Sequence, residues 1–232
     1  HVFHTKSDTE CIVHAWEAWG EQCVQRLRGM FAFALWDRNR QTLFMARDRL
    51  GVKPLFYALL PDGQCVFGSE LKAVLLHPGV TRTIDPCAVE EYFAVGYVAE
   101  PRTIFTSVRK LPPAHTLLLR RGVAPPAPRE FWDVRFTLDN RIGFEDAMAE
   151  LDRRLQDSIR LRMISEVPLG AFLSGGVDSS AVVAVMARIS DAPVNTCSIS
   201  FDDPAFDETR FAQLVAERYK TRHYVDQVAS DD

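Results

Sequence analysis

Apolar positions along this chain follow two periods, and each period predicts an element. Cys11, Ile12, Ala15, Trp16 and Trp19 recur at helical spacing, behind Ser7-Asp8-Thr9-Glu10. That tetrapeptide has the form of a capping box, so a helix is expected to start at Ser7 and stop at Gly20. Asp8 there suits the positive end of the helix dipole. Residues 30–36 are apolar on both alternating faces and predict a central strand buried on both sides. Asp37-Arg38-Asn39-Arg40 reads as a turn and residues 42–47 as a returning strand. A loop at Asp48-Arg49-Leu50-Gly51 leads to a third strand over 55–60. Pro61-Asp62-Gly63 turns, and 65–68 is a fourth strand. A helix over 70–76 should end at His77-Pro78-Gly79, and Asp85-Pro86 opens another through Phe93. Residues 101–110 look irregular. Pro112-Pro113 breaks the chain before a strand over 115–120, where His115 reads as structural. Antiparallel strands covered on both faces imply a layered sandwich with helices outside.

The pattern changes after residues 122–129, whose prolines mark a linker or surface loop. The domain boundary is expected between there and Gly143, dividing the chain into 1–136 and 137–232. Phe144, Met148, Leu151, Leu155 and Ile159 repeat every three or four residues and predict an amphipathic helix over 144–164. Its Arg153, Arg154, Arg160 and Arg162 read as a solvated face. An apolar run over 167–173 predicts a buried strand. A run over 181–189 predicts a helix that Ser179 or Ser180 could cap. A strand over 194–201, a turn at Asp202-Asp203-Pro204, a helix over 207–219 and a strand from 223 to 225 complete the series. Strand and helix alternate, as at the start of a parallel α/β sheet. Three strands would leave that sheet open and half covered.

Composition adds exclusions. The 232 residues are 47% hydrophobic and 25% charged, as in a soluble globular protein. A net charge of −4 gives no electrostatic case for nucleic acid. No apolar run approaches the ~20 residues of a membrane span. The five cysteines, Cys11, Cys23, Cys65, Cys87 and Cys197, are scattered and form no CxxC pair. They read as free thiols of a reducing cytoplasm, filling core rather than acting as nucleophiles. The chain opens on His1-Val2-Phe3 with no signal peptide and no initiator Met, so its beginning is read as missing.

The chemistry concentrates in Leu173-Ser174-Gly175-Gly176-Val177-Asp178-Ser179-Ser180. Between a strand and a helix, such a loop offers backbone N–H groups and a helix N-terminus to an anion. Gly175 and Gly176 permit tight bending and close approach to phosphate oxygens. Asp178 would repel a bare phosphate, so a carboxylate here makes sense if it holds Mg²⁺ against the phosphates. The spacing matches neither a Walker loop nor GxGxxG. The plain alternative is a serine- and glycine-rich turn before a core helix.

Ser-Gly-Gly-Val-Asp-Ser-Ser resembles the pyrophosphate loop of the N-type ATP pyrophosphatases. Upstream, Phe3 to Glu10, Arg28 to Asp37 and Arg47-Asp48-Arg49-Leu50-Gly51-Val52-Lys53-Pro54-Leu55-Phe56-Tyr57 resemble the class II glutaminase domain of asparagine synthetase B. Gly68-Ser69-Glu70-Leu71-Lys72-Ala73 and Pro101-Arg102-Thr103-Ile104-Phe105 fit the same pattern. Trp16-Glu17-Ala18-Trp19-Gly20 is similar to bacterial amidotransferases of exosortase and polysaccharide loci.

The resemblance implies an α/β chain: a remnant of an Ntn-type αββα sandwich, then the start of a parallel sheet like that of the adenine nucleotide α-hydrolases. It implies a ligase with ATP and Mg²⁺ as cofactors. One domain releases ammonia from glutamine, and the other adenylates aspartate or a related acid, which ammonia then converts to the amide. Asp8 matches the acid that binds the α-ammonium of glutamine. Leu173, Ser174, Gly175, Gly176, Asp178, Ser179 and Ile199 match the ATP site, with Asp178 on the metal. The partners implied are small molecules, not nucleic acid or membrane, in a cytoplasmic protein, and a homodimer is left open.

The family's N-terminal cysteine nucleophile is absent, as are its second nucleotide segment and most of its aspartate site. The chain is therefore read as an internal fragment that does not hydrolyse glutamine alone. Two other functions stay open. One is a ligase like β-lactam synthetase, without glutaminase activity. The other is a non-catalytic nucleotide-binding module.

Overall fold

A computed structural model describes residues 1–138, 141–203 and 207–228. The chain divides into two compact units, His1–Phe136 and Thr137–Asp232.

The first unit opens with helix α1 (Asp8–Trp19), capped by Ser7, whose hydroxyl accepts the Thr9 N–H. The capping box is not reciprocal. Glu10 reaches past the cap to accept the N–H groups of His4 and Thr5, at 2.6 Å each, and the Ser7 N–H goes to the Thr5 hydroxyl. The Thr5 hydroxyl, which also donates to it, and these two backbone amides hold the Glu10 carboxyl down at about 2. Gly20, at φ 55, ends the helix and leads into a 3₁₀ turn (Gly20–Gln25). Only Ala15 and Trp16 of the helix are buried, while Cys11 and Trp19 are exposed.

Strands β1 (Ala32–Asp37) and β2 (Thr42–Arg47) form the expected hairpin, from Ala32 opposite Arg47 to Asp37 opposite Thr42. Next come β3 (Phe56–Leu59), β4 (Cys65–Gly68) and the short helix α2 (Leu71–Val74). Helix α3 (Pro86–Val95) is capped by Asp85 and stopped by left-handed Gly96. Strands β5 (Arg109–Lys110), β6 (His115–Arg120) and β7 (Arg129–Glu130) complete the unit. Residues 101–110 are thus not wholly irregular, since β5 pairs with β3. The helix expected over 70–76 is confined to α2.

Two sheets result, in the orders β1-β2-β6-β7 and β4-β3-β5. Alternation along each strand assigns its side chains to layers. Phe44 and Ala46 of β2 pack with Trp16 and Cys23 beneath α1. Met45 of β2 and Leu117 of β6 face Tyr57 of β3 and Leu111 between the sheets. Ala58, on the far side of β3, packs with Val74 of α2. The layers therefore run helix, sheet, sheet, helix. The inner strands of the first sheet are β2 and β6, and β2 is almost wholly buried. The strand expected to be central, β1, lies at the edge with Trp36 49% exposed. Its inward face carries Phe33 and Leu35 against the α1 cluster, and the outer end of its other face is uncovered.

The segment Arg47-Asp48 ties the two sheets' loops together. Arg47, 5% exposed, donates to the carbonyls of Gly51, Lys53 and Leu111, each at 2.7 Å, and to Glu100 at 2.9 Å. Asp48, 1% exposed, accepts the N–H groups of Leu50, Val52 and Lys53. Both charges are satisfied by fixed donors and acceptors, which makes their burial tolerable. His115 Nδ1 lies 2.7 Å from the Pro113 carbonyl, two residues back in the chain.

The second unit contains α4 (Phe144–Arg162), β8 (Gly170–Phe172), α5 (Val177–Ile189), β9 (Asn195–Phe201), α6 (Thr209–Tyr219) and β10 (Arg222–Val228). The sheet is parallel, in the order β10-β9-β8. Pro204 of the expected turn lies outside the described residues. Helix α4 carries its arginines on a solvated face, where Arg153 and Arg154 pair with Glu150, and Arg160 with Asp157. Its Ile159 meets Val185 and Met186 of α5. Val183 of α5 and Ala212 and Ala216 of α6 pack with Leu173. The strand expected over 167–173 is shorter and not buried. It is an edge strand, and Val167 and Phe172 are 70% and 83% exposed.

Candidate functional site

The site is built where β8 hands over to α5. Leu173, 1% exposed, is tied to β9: its N–H donates to the Cys197 carbonyl at 2.8 Å, and its own carbonyl accepts the Ser198 hydroxyl. This fixes the point from which the loop departs. Gly175 then takes φ +80, and an added Cβ would lie 2.6 Å from the Ala212 nitrogen on α6. The packing of the loop on that helix therefore requires glycine at this position.

Gly176 is the N-cap of α5, in extended conformation with no side-chain cap. The expectation that Ser179 or Ser180 caps the helix is therefore corrected. Both lie inside its first turn, because the chain is already helical at Val177. Ser179 Oγ donates to the Gly176 carbonyl at 3.2 Å and accepts the Ser174 N–H at 3.3 Å. The Ser174 and Ser179 hydroxyls are 3.0 Å apart, and the Gly176 N–H reaches Ser174 Oγ at 3.3 Å. The loop thus ends in a helix N-terminus whose first amides have no side-chain acceptor over them, the arrangement that attracts an anion. Asp178 is exposed and makes no ion pair among the described residues. Ser180 Oγ is buried without a hydrogen-bond partner.

Beside the turn lies a cleft of about 250 Å³ at the carboxyl ends of β8 and β9. Leu173, Ser174 and Ile199 line it together, with Cys197, Phe201 and Thr209. Gly175, Gly176, Asp178 and Ser179 are not on that lining but form the adjacent turn. Cys197 was missed as a site residue. Its signal is its place two residues before Ile199, hence on the same face of the strand. Thr209 is held by Asp207, which accepts its N–H and hydroxyl and is itself kept below the usual carboxylate range by them.

Asp8 belongs to the other unit. It is the first residue of α1, exposed, with its carboxylate 3.5 Å from the Thr9 hydroxyl. A cleft of that unit, about 800 Å³, is lined by Trp16, Trp19, Arg40, Arg120 and Phe131 among others, and Asp8 is not on it. No helix of the described residues is long and apolar enough to cross a membrane.

Comparison with known families matches residues 1–132 to the glutamine amidotransferase domain and residues 150–232 to asparagine synthase. The chain is 36% identical to asparagine synthetase [glutamine-hydrolyzing] 3 of Bacillus subtilis, over 97% of this chain and 38% of that protein. It is 35% identical to putative asparagine synthetase [glutamine-hydrolyzing] 2 of Methanocaldococcus jannaschii, over 95% of this chain and 43% of that protein. A putative asparagine synthetase [glutamine-hydrolyzing] of Mycobacterium tuberculosis is 37% identical over all of this chain and 36% of its own length. The chain therefore spans about two fifths of the length of these relatives.

Proposed function

Because the chain belongs to the glutamine amidotransferase domain family and continues into an asparagine synthase segment, we propose that it is part of a glutamine-dependent ligase of the asparagine synthetase type. We assign residues 1–136 to the glutaminase domain and 137–232 to the first part of the ATP-pyrophosphatase domain. The observation that carries the reading is the glycine-capped N-terminus of α5, opening beside a cleft at the ends of parallel strands. That is where an α/β sheet binds its ligand.

The residues present fit MgATP. The amides of the first turn of α5 and the hydroxyls of Ser174 and Ser179 bind the phosphates. The contacts those hydroxyls now make to each other and to the loop are the ones a phosphate oxygen would replace. Leu173 and Ile199 hold the adenosine through the cleft they share. Gly175 keeps the turn against α6, and Asp178, exposed and without an ion pair among the described residues, holds Mg²⁺. When bound, MgATP supplies the anhydride that activates the carboxyl group of aspartate or a related acid. Asp8 binds the α-ammonium of glutamine, already oriented by its place at the start of α1. A cytoplasmic setting suits the small-molecule substrates glutamine, aspartate and ATP.

The test is the release of pyrophosphate and asparagine from glutamine, aspartate and MgATP by the protein that carries this chain. Both products are expected, in equal amounts. Pyrophosphate without asparagine would replace aspartate by another acceptor, and neither product would remove the reading.

A further inference from the structure

On the outer face of α1, three side chains converge that neither the loop nor Asp8 uses. His14 and Glu17 stand three residues apart and so share one face of the helix. His14 Nδ1 is 2.9 Å from Glu17 Oε2. The segment before α1 folds back along that face and brings His1 Nδ1 to 3.3 Å from the same carboxylate oxygen. The ligand atoms of His1, His14 and Glu17 all lie within 4.8 Å of one another.

Two ring contacts hold the imidazoles. The His1 and His14 ring centroids are 4.6 Å apart, and Phe3 meets His14 edge-on at 4.9 Å. The other nitrogen of His14 is buried and has no hydrogen-bond partner, with Glu10 Oε1 3.6 Å away. An ordinary neutral histidine donating from Nδ1 to Glu17 leaves that buried nitrogen an unpaired acceptor facing a carboxylate. Reversing the proton resolves the conflict. With Nε2–H directed at Glu10, Nδ1 becomes a free lone pair pointing at Glu17 and His1, and a cation between them satisfies all three. A histidine that binds metal through one nitrogen and turns the other toward a carboxylate is the usual outer-shell arrangement.

The geometry points to a divalent transition-metal site formed by His1, His14 and Glu17, with Glu10 as the outer carboxylate. Two imidazoles and one carboxylate are the donor set of a zinc-class ion, and three protein ligands leave a fourth position for water. Binding would pin the segment ahead of Ser7 to the helix it caps. This inference is independent of the reading of the nucleotide loop.

The probe is Zn²⁺ alone, titrated calorimetrically into the chain at neutral pH. One ion per chain is expected at this site. His14→Gln and Glu17→Gln should each weaken it by at least about 10-fold, with far-UV circular dichroism unchanged. Glu17 is exposed, so its substitution reports on binding even where His14→Gln perturbs the fold. A variant with one serine placed before His1 separates the imidazole from a terminal amine and should bind as the parent does. The site is overturned if zinc does not bind. It is equally overturned if affinity survives both Glu17→Gln and His14→Gln, or if the added serine abolishes binding.

Discussion

A Cβ placed on Gly175 would sit 2.6 Å from the backbone nitrogen of Ala212, on a helix that enters the sequence well downstream. The loop and α6 therefore touch backbone to backbone. Because φ at Gly175 is also +80, both the local conformation and the tertiary contact demand glycine. Gly175→Ala should lower the stability of the second unit by about 1–3 kcal/mol. Chemical denaturation checks this without any nucleotide. Unaltered stability would show that the loop tolerates a side chain and that α6 does not constrain it.

Asp48 makes a comparable demand in the first unit. Its carboxylate accepts three backbone N–H groups from deep inside the loop, at 1% exposure. Asp48→Ala strands those donors and should cost about 3 kcal/mol. Asp48→Asn keeps one acceptor oxygen and should cost less. Equal losses in the two variants, measured by urea midpoint, would argue against this account.

These two residues show what the sequence discloses and what it hides. The order of elements was legible because caps and breakers are local: Ser7, Gly20 and Asp85-Pro86 each act within one turn. The inner place of β2, and the edge place of β1, were not. Strand order depends on which distant segment pairs, here β6 onto β2, and an apolar run does not encode that choice. The glycine loop was legible as a turn between a strand and a helix, and Leu173 and Ile199 do share a cleft. The need of Gly175 to clear α6 was hidden because it arises only from tertiary packing. Glu10 misled in a similar way, since its spacing from Ser7 suited a capping box while His4 and Thr5 offered better-placed donors.

Asp37 provides a pH signature. The indole N–H of Trp16 donates to it at 2.9 Å, the Arg40 and Asn39 amides add two more bonds, and together they hold the carboxyl below its usual range. A depressed folded pKa contributes stability above the unfolded value, and that contribution is lost as pH falls through the folded one. Asp37→Asn should therefore lower Tm by a few degrees at neutral pH. The gap should close as the pH is taken below the ordinary aspartate range. A gap that stays constant across a thermal-melt series would assign the effect to packing rather than charge.

Cys197 gives a probe of the cleft. It is exposed and lines the same wall as Ile199. MgATP should slow its alkylation several-fold, while exposed Cys11 and Cys87 react unchanged. Peptide mapping by mass spectrometry separates the three. Equal protection, or none, would place the nucleotide elsewhere.

The most direct measurement is the affinity of the chain for ATP with and without magnesium, compared between the parent and Asp178→Ala. The account predicts that the parent binds ATP in a magnesium-dependent manner. It predicts that the variant, with its circular dichroism and melting curve near those of the parent, loses that dependence. Undiminished magnesium-dependent affinity in the variant would contradict the assignment of Asp178 and, with it, the reading of the α5 N-terminus as the pyrophosphate site.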